Sequence, residues 1–347
     1  ISSRFRQTFA VQMADGYFEV LRQLDEIANA ADNYRSLSLA ASRSRRLGEA
    51  GRLSEIQVNQ AAQDELRARS RWVSARLNYA RRLDGFKVTL GLSADARVEL
   101  DPAELEVLRT RLAKLLSAER TPAEPPAVAA QVEAPPPPGL PSPEVEVAVA
   151  LDGRLDLHTA AARVEDAQRK VVVAADALRA GLTLTGGAAI GEGRGVGSAT
   201  LDEANLRFGQ GDYQALLRLD LPLDRTAERA AYRESLIALE SAVRNLQAVE
   251  DQVKLDVRDG IRSLEEAHES VTIQAEAVRL AERRVNSTDL FFQAGRAEIR
   301  DLLDAQEDLV SAQNALTAAL VNYRIAELEL ERDTGRLRIS PDGVWTE

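Results

Sequence analysis

The chain repeats itself. Laid against itself at a displacement of 244 residues, with no gaps, it pairs Asp15-Gly16 with Asp259-Gly260 and Ala50-Gly51-Arg52 with Ala294-Gly295-Arg296. The same displacement brings Ala61 onto Ala305, Asp64 onto Asp308, Asn78-Tyr79 onto Asn322-Tyr323 and Gly91 onto Gly335. A match over about 80 residues is an internal duplication, and a duplication constrains architecture more than any local propensity. Each copy reads as a helix, a tight break and a returning helix. In the first, Met13, Tyr17, Val20, Leu24, Ile27, Ala31 and Tyr34 recur in alternating steps of four and three. Their counterparts are Val257, Ile261, Leu264, His268, Val271, Ala275 and Val278. That spacing is the seam of a coiled coil.

The returning helix of the second copy carries Leu302, Leu309, Leu316, Tyr323 and Leu330 every seven residues, with Ala305, Ala312, Ala319 and Ala326 as a companion row. Rows of large residues and alanines let two helix axes approach closely, as in an antiparallel pair. Gly51 and Gly295 supply a residue that tolerates positive φ at a helix end. From Arg225 to Phe291 the pattern predicts about 100 Å of continuous helix at 1.5 Å per residue, so an elongated object is expected.

Between the helical stretches the composition changes. Residues 120–143 hold nine of the twelve prolines, including Pro135 to Pro138, which excludes helix there. The resulting division is a first-repeat hairpin over 1–100 with its tip near 47–58, and a Pro-rich connector over 101–150. A second-repeat helix over 151–180 and a β-hairpin over 181–223 with loop 191–211 follow. The second long hairpin covers 224–335 with its tip near 291–301, and 336–347 form a tail. In the β-hairpin, Leu182 and Leu184 alternate with Thr183 and Thr185. Leu217, Leu219, Leu221 and Leu223 alternate with Leu216, Arg218, Asp220 and Pro222. These runs approach the 9 to 11 residues of a tilted membrane strand. Period alone leaves open a barrel segment or the edge of a soluble sheet. Two strands cannot span lipid by themselves, because open edges are not tolerated there.

Several functions are set aside by composition. A net charge of −11, from 44 basic and 55 acidic residues, argues against a nucleic-acid surface. With no cysteine there is no disulfide framework, thiolate zinc site or Cys nucleophile. His158 and His268 lie far apart in sequence, which disfavours a histidine metal site. His268 takes the seam position of Leu24 and reads as a core residue, and His158 as a surface one. No cluster of acid, base and nucleophile appears, so no catalytic residue, metal or cofactor is expected. No run of 18 apolar residues marks a transmembrane helix. The start at Ile1, without an initiator Met or signal peptide, leads us to expect a piece of a longer protein.

Taken together the residues resemble the TolC-like outer-membrane efflux proteins. The duplicated hairpins carry most of the resemblance. Arg154-Leu155-Asp156-Leu157 is similar to the family's Arg-Pro-Asp-Leu helix opening, and Leu219 to Asp224 to its second strand-to-helix junction. Phe292 to Ala305 is similar to the family's Tyr-x-x-Gly-x-x-x-x-x-Asp-x-x-Asp-Ala tip. The resemblance implies a mainly α fold, with coiled-coil hairpins in two repeats and a β-hairpin contributing to a trimeric outer-membrane barrel. It implies a passive exit duct in the bacterial outer membrane, reaching into the periplasm, for a tripartite efflux or secretion system. The partners implied are two further copies, a periplasmic adaptor (membrane fusion protein), an inner-membrane pump of RND or ABC type, and outer-membrane lipid.

On that resemblance Asp301 and Asp304 match an acidic pair facing the lumen at the periplasmic entrance, with Arg296 and Phe292 beside them in the gate. Read from the residues alone, acids in the first turns of a helix also simply favour its dipole. Gln57 and Gln60 hold the corresponding first-repeat positions. Gly51, Arg52, Leu53, Gly295 and Arg296 resemble adaptor-docking tips. Leu182, Leu184, Leu217, Leu219 and Leu221 would face lipid while Arg218 and Asp220 face the interior. A soluble coiled-coil scaffold and a periplasmic adaptor are the alternative readings.

Overall fold

A computed structural model of the chain describes residues 2–118, 141–189, 211–221 and 224–339. It is mainly helical: α1 (Ser2–Glu49), α2 (Glu55–Thr89), α3 (Ala103–Ala118), α4 (Pro143–Gly153), α5 (Leu155–Asp176), β1 (Gly181–Ala189), β2 (Asp212–Asp220), α6 (Thr226–Gln293) and α7 (Ile299–Asp333). The proline run between α3 and α4, the loop 191–210, Pro222, Leu223 and the tail beyond 339 lie outside the described residues. Residues 101–150 are not all connector, since α3 and α4 occupy its two ends. Pro143 opens α4, where the missing N–H of proline has no helical partner to lose. The chain leaves helix at Arg154, whose backbone is extended, and α5 starts one residue later.

The chain divides into two compact units. The first comprises Ile1–Asp156 and Asp251–Glu347 and holds both hairpins. Here the duplication is geometric. The ends of α1 and α6 differ by 244 positions, as do both ends of α2 and α7. All positive-φ residues among those described are glycines, and they fall into two pairs at the same displacement: Gly51 (69°) with Gly295 (71°), and Gly91 (74°) with Gly335 (75°). At the first pair the helix closes identically. The N–H of Gly51 donates to Gly48 O and that of Arg52 to Leu47 O, as Gly295 donates to Phe292 O and Arg296 to Phe291 O. This is the six-to-one and five-to-two bonding of a Schellman end. The Asp-Gly match also has a packing cause. A Cβ on Gly16 would lie 3.0 Å from the Phe86 ring, and one on Gly260 would lie 3.3 Å from Leu330 Cδ1. Phe86 and Leu330 are themselves repeat equivalents, so the glycine admits a large side chain from the returning helix in both copies.

Of the seam expected on α6, Val257, Ile261, Leu264, His268 and Val271 are buried, extended upstream by Val253, while Ala275 and Val278 are half-buried. His268 is 7% exposed, its ring 6.0 Å from that of Tyr323. On α1 the expected row is half-buried apart from Val20, which is buried, and a second row is buried beside it: Val11, Ala14, Phe18 and Leu21, then Leu37 and Ala41. The reason is that α1 packs against α2 and α7 together. Val11 to Leu21 cluster with Leu105 and Leu108 of α3 and Val321 and Leu328 of α7. Leu37 and Ala41 cluster with Ala61, Ile299, Leu302 and Leu303 near the tips. Between these apolar clusters the contact is polar. Asp25 accepts from Thr317 Oγ1 (2.5 Å) and Arg109 Nη2 (2.8 Å), and Asn29 donates to Asn314 (2.9 Å). A partly buried polar stretch of this kind favours one register, because slipped arrangements leave groups unpaired.

The second unit, Leu157–Glu250, holds most of α5, the strands and the start of α6. Covered positions on α5 (157, 160, 164, 167, 171, 174) and on α6 (228, 232, 235, 239, 242, 246) both step by three and four, the coiled-coil period. β1 and β2 pair antiparallel, with Leu182 opposite Leu219 and Leu184 opposite Leu217. Arg225 steadies the junction after β2, reaching Asp220 (3.2 Å), Glu228 (3.4 Å) and the carbonyl of Arg179 (3.1 Å).

Candidate functional site

The second tip is built from its helix ends inward. After the Gly295 turn, Glu298 takes the N-cap place of α7, and its N–H donates to Asp301 Oδ2 at 3.0 Å. In the first repeat Ser54 and Gln57 make the equivalent reciprocal box, with the N–H of Ser54 donating to Gln57 Oε1 at 3.1 Å. Position 301 is therefore a capping position in both copies, carrying an amide in one and a carboxylate in the other. One turn on, Asp304 lies 3.7 Å from Arg300 with both side chains more than half exposed. Leu302 and Leu303 between them and Ala305 after them are buried, so α7 turns its apolar side to the hairpin core and both aspartates outward.

The remaining tip residues divide by environment. Gly51, Arg52, Gly295 and Arg296 are exposed, Leu53 is half-buried, and neither Arg52 nor Arg296 forms an ion pair among the described residues. Phe292 is half-buried. It packs on the Leu37–Leu303 cluster, and the guanidinium of Arg43 sits 5.7 Å above its ring. Arg43 also lies 3.9 Å from Asp289. This arginine joins α1 to the second tip, and the sequence alone did not single it out, because its partners lie about 250 residues away. A groove of about 590 Å³ runs beside the tips, lined by Gln60, Arg67 and Arg71 of α2 and by Arg300, Asp304 and Glu307 of α7. It brings Asp304 and its counterpart Gln60 to one surface, and Arg71 bridges it to Glu307 at 2.6 Å.

In the β-hairpin the register sorts the side chains by face. Leu182, Leu219, Leu184, Leu217, Gly186, Ala215, Ala188 and Tyr213 share one face, and Leu221 continues its parity. The opposite face holds Asp220, Thr183, Arg218, Thr185, Leu216, Gln214 and Asp212. The four leucines are 59 to 72% exposed. An exposed leucine ladder backed by a charged face suits contact with lipid on one side and water on the other. Among the described residues no helix is long and apolar enough to cross a membrane, and no three acidic or histidine side chains are grouped to hold a metal.

The sequence profile of the family described as outer membrane efflux protein matches residues 147–336, more than half of the chain. No curated protein sequence gives a match. Among solved structures, the outer-membrane channel OprN superposes with a TM-score of 0.67 at 15% identity, covering 96% of this chain and 67% of its own. VceC, an outer membrane protein of Vibrio cholerae, gives 0.67 at 16% identity, with 95% and 70% covered. The MtrE outer-membrane channel of Neisseria gonorrhoeae, in its open state, gives 0.67 at 14% identity, with 96% and 67% covered. At such identities the likeness is one of fold.

Proposed function

Because this chain belongs to the outer membrane efflux protein family, we propose that it serves as a passive exit duct through the outer membrane and periplasm. Three copies would assemble, each giving its strand pair to a common barrel and its two hairpins to a helical tube. The observation that carries this reading is the family match over 147–336, which runs from α4 through the leucine-faced strands to the Gly335 corner. A duct of this kind performs no chemistry on its cargo, and its selectivity rests on the charges and width of the pore.

In this reading Asp301 and Asp304 form two carboxylate rings at the periplasmic entrance, which favours cations and holds multivalent ones best. Their support is that both are exposed on the side of α7 opposite its buried leucines. The tips at Gly51-Arg52-Leu53 and Gly295-Arg296 receive a periplasmic adaptor, which links the duct to an inner-membrane pump of RND or ABC type. Leu182, Leu184, Leu217, Leu219 and Leu221 meet outer-membrane lipid.

The test is the native mass of the full-length protein extracted in detergent from separated membranes. A trimer recovered from the outer-membrane fraction is expected. A monomer or dimer released without detergent would sink the duct and leave an extended coiled-coil scaffold.

A further inference from the structure

At the end of α1 opposite the first tip, the structure forms a cavity of about 640 Å³ between the start of α1, the α4–α5 junction and the residues after α7. Five arginines line it: Arg4, Arg6, Arg154, Arg332 and Arg338. Three of them are held in place by carboxylates. Arg154, 5% exposed, donates to Asp156 (2.7 Å) and Asp256 (2.9 Å). Arg4 reaches Asp156 (3.3 Å) and Asp333 (3.7 Å), and Arg332 pairs with Asp333 (2.9 Å) and Glu329 (3.6 Å). None of these carboxylates lines the cavity. Arg6 and Arg338 are exposed and have no ion-pair partner among the described residues. Each fixed guanidinium is thus oriented from outside the cavity, while two unneutralised ones stand on its wall. In a chain of net charge −11, a concavity lined by cations and by no carboxylate runs against the composition.

The walls are also tied to one another. Gln7 Nε2 donates to Leu337 O at 2.9 Å, tying α1 to the segment that carries Arg338. A Cβ on Gly335 would lie 3.3 Å from Gly153 O, so the two backbones meet closely beside the cavity. A volume of this order suits a small molecule. Guanidinium forks bind phosphate oxygens in pairs and keep their charge at any physiological pH.

We infer that this cavity binds a multivalent phosphate, with Arg6 and Arg338 as its free cations and Arg4, Arg154 and Arg332 as a preset wall. The same chemistry is offered by a free diphosphate and by the headgroup of an acidic lipid, so the experiment carries an arm for each. Full-length protein purified in detergent is titrated calorimetrically with pyrophosphate, and separately with short-chain phosphatidic acid. Saturable binding of either supports the site, and the ligand bound names the source. The double variant Arg6→Gln/Arg338→Gln is expected to weaken it at least tenfold, with helicity unchanged by circular dichroism. Arg169→Gln, at an exposed pair elsewhere on α5, is expected to leave it unchanged. Binding of neither ligand, equal affinity in the double variant, or an equal loss in Arg169→Gln would overturn the assignment.

Discussion

Tyr17 shows how single groups set the pH limits of the hairpins. Burial and then the charge of Glu104 both disfavour the phenolate, so the hydroxyl titrates at about 12 rather than 10. The fold prefers the protonated phenol, so its contribution is complete below about pH 10 and is lost as pH rises from 10 to 12. Thermal unfolding at pH 9 and pH 11.5 should show a larger fall for the wild type than for Tyr17→Phe. Glu19 behaves oppositely. Its hydrogen bond to Arg22 holds its carboxyl below the usual value of 4.5, so what it adds is present above that pH and is lost on acidification below it. At the turns, Gly51→Ala and Gly295→Ala meet no neighbouring atom but force an L-residue into positive φ. Each should cost about 1 to 2 kcal/mol in denaturant titration. Asp301 needs a subtler change, since Asp301→Asn removes the charge while keeping an oxygen to accept the Glu298 N–H. Asp301→Ala removes both and should lower stability by about 1 kcal/mol, a difference that separates the cap from the charge.

Among the helices, the close crossings at Gly16 and Gly260 make a direct prediction. Replacing either by leucine sets a large side chain against Phe86 or Leu330, and overpacking of this kind should cost about 1 to 3 kcal/mol by thermal melt. A melt equal to wild type would mean that the crossing is loose. The same crossings show what the sequence made legible. Helix, turn and returning helix could be read because seven-residue spacing and positive-φ glycines act locally and were written twice. The second row on α1 could not. Its middle is Asp25, Asn29 and Asn33, which break the apolar pattern and make sense only once Thr317, Asn314 and Arg109 stand opposite. Phe292 was legible as a tip residue but not as a packed one, because Arg43 and Leu37 reach it from the other repeat. The leucine alternation of the strands was legible at once. That Tyr213 joins the leucine face depended on β2 reaching back to Asp212, which the leucine run did not show.

For the trimer proposed above, the charge carried by Asp301 and Asp304 is the property to measure. In planar bilayers the trimer should be cation-selective, and Asp301→Asn/Asp304→Asn should lower the preference for divalent over monovalent cations with little change in Tm. Unchanged selectivity would place both carboxylates outside the ion path. A separate consequence follows from the matching corners at Gly51 and Gly295. Two joints that end, turn and restart at the same residues are interchangeable parts. Residues 291–302 spliced in place of 47–58 would carry their own turn, their own cap and the Phe292–Leu302 pair in place of Gly48–Val58. The graft would set an aspartate at the capping place of Gln57 and, by exchanging Glu49, Glu55 and Arg52 for Arg296, Glu298, Arg300 and Asp301, would take the first tip from one net negative charge to none without redesign of either helix.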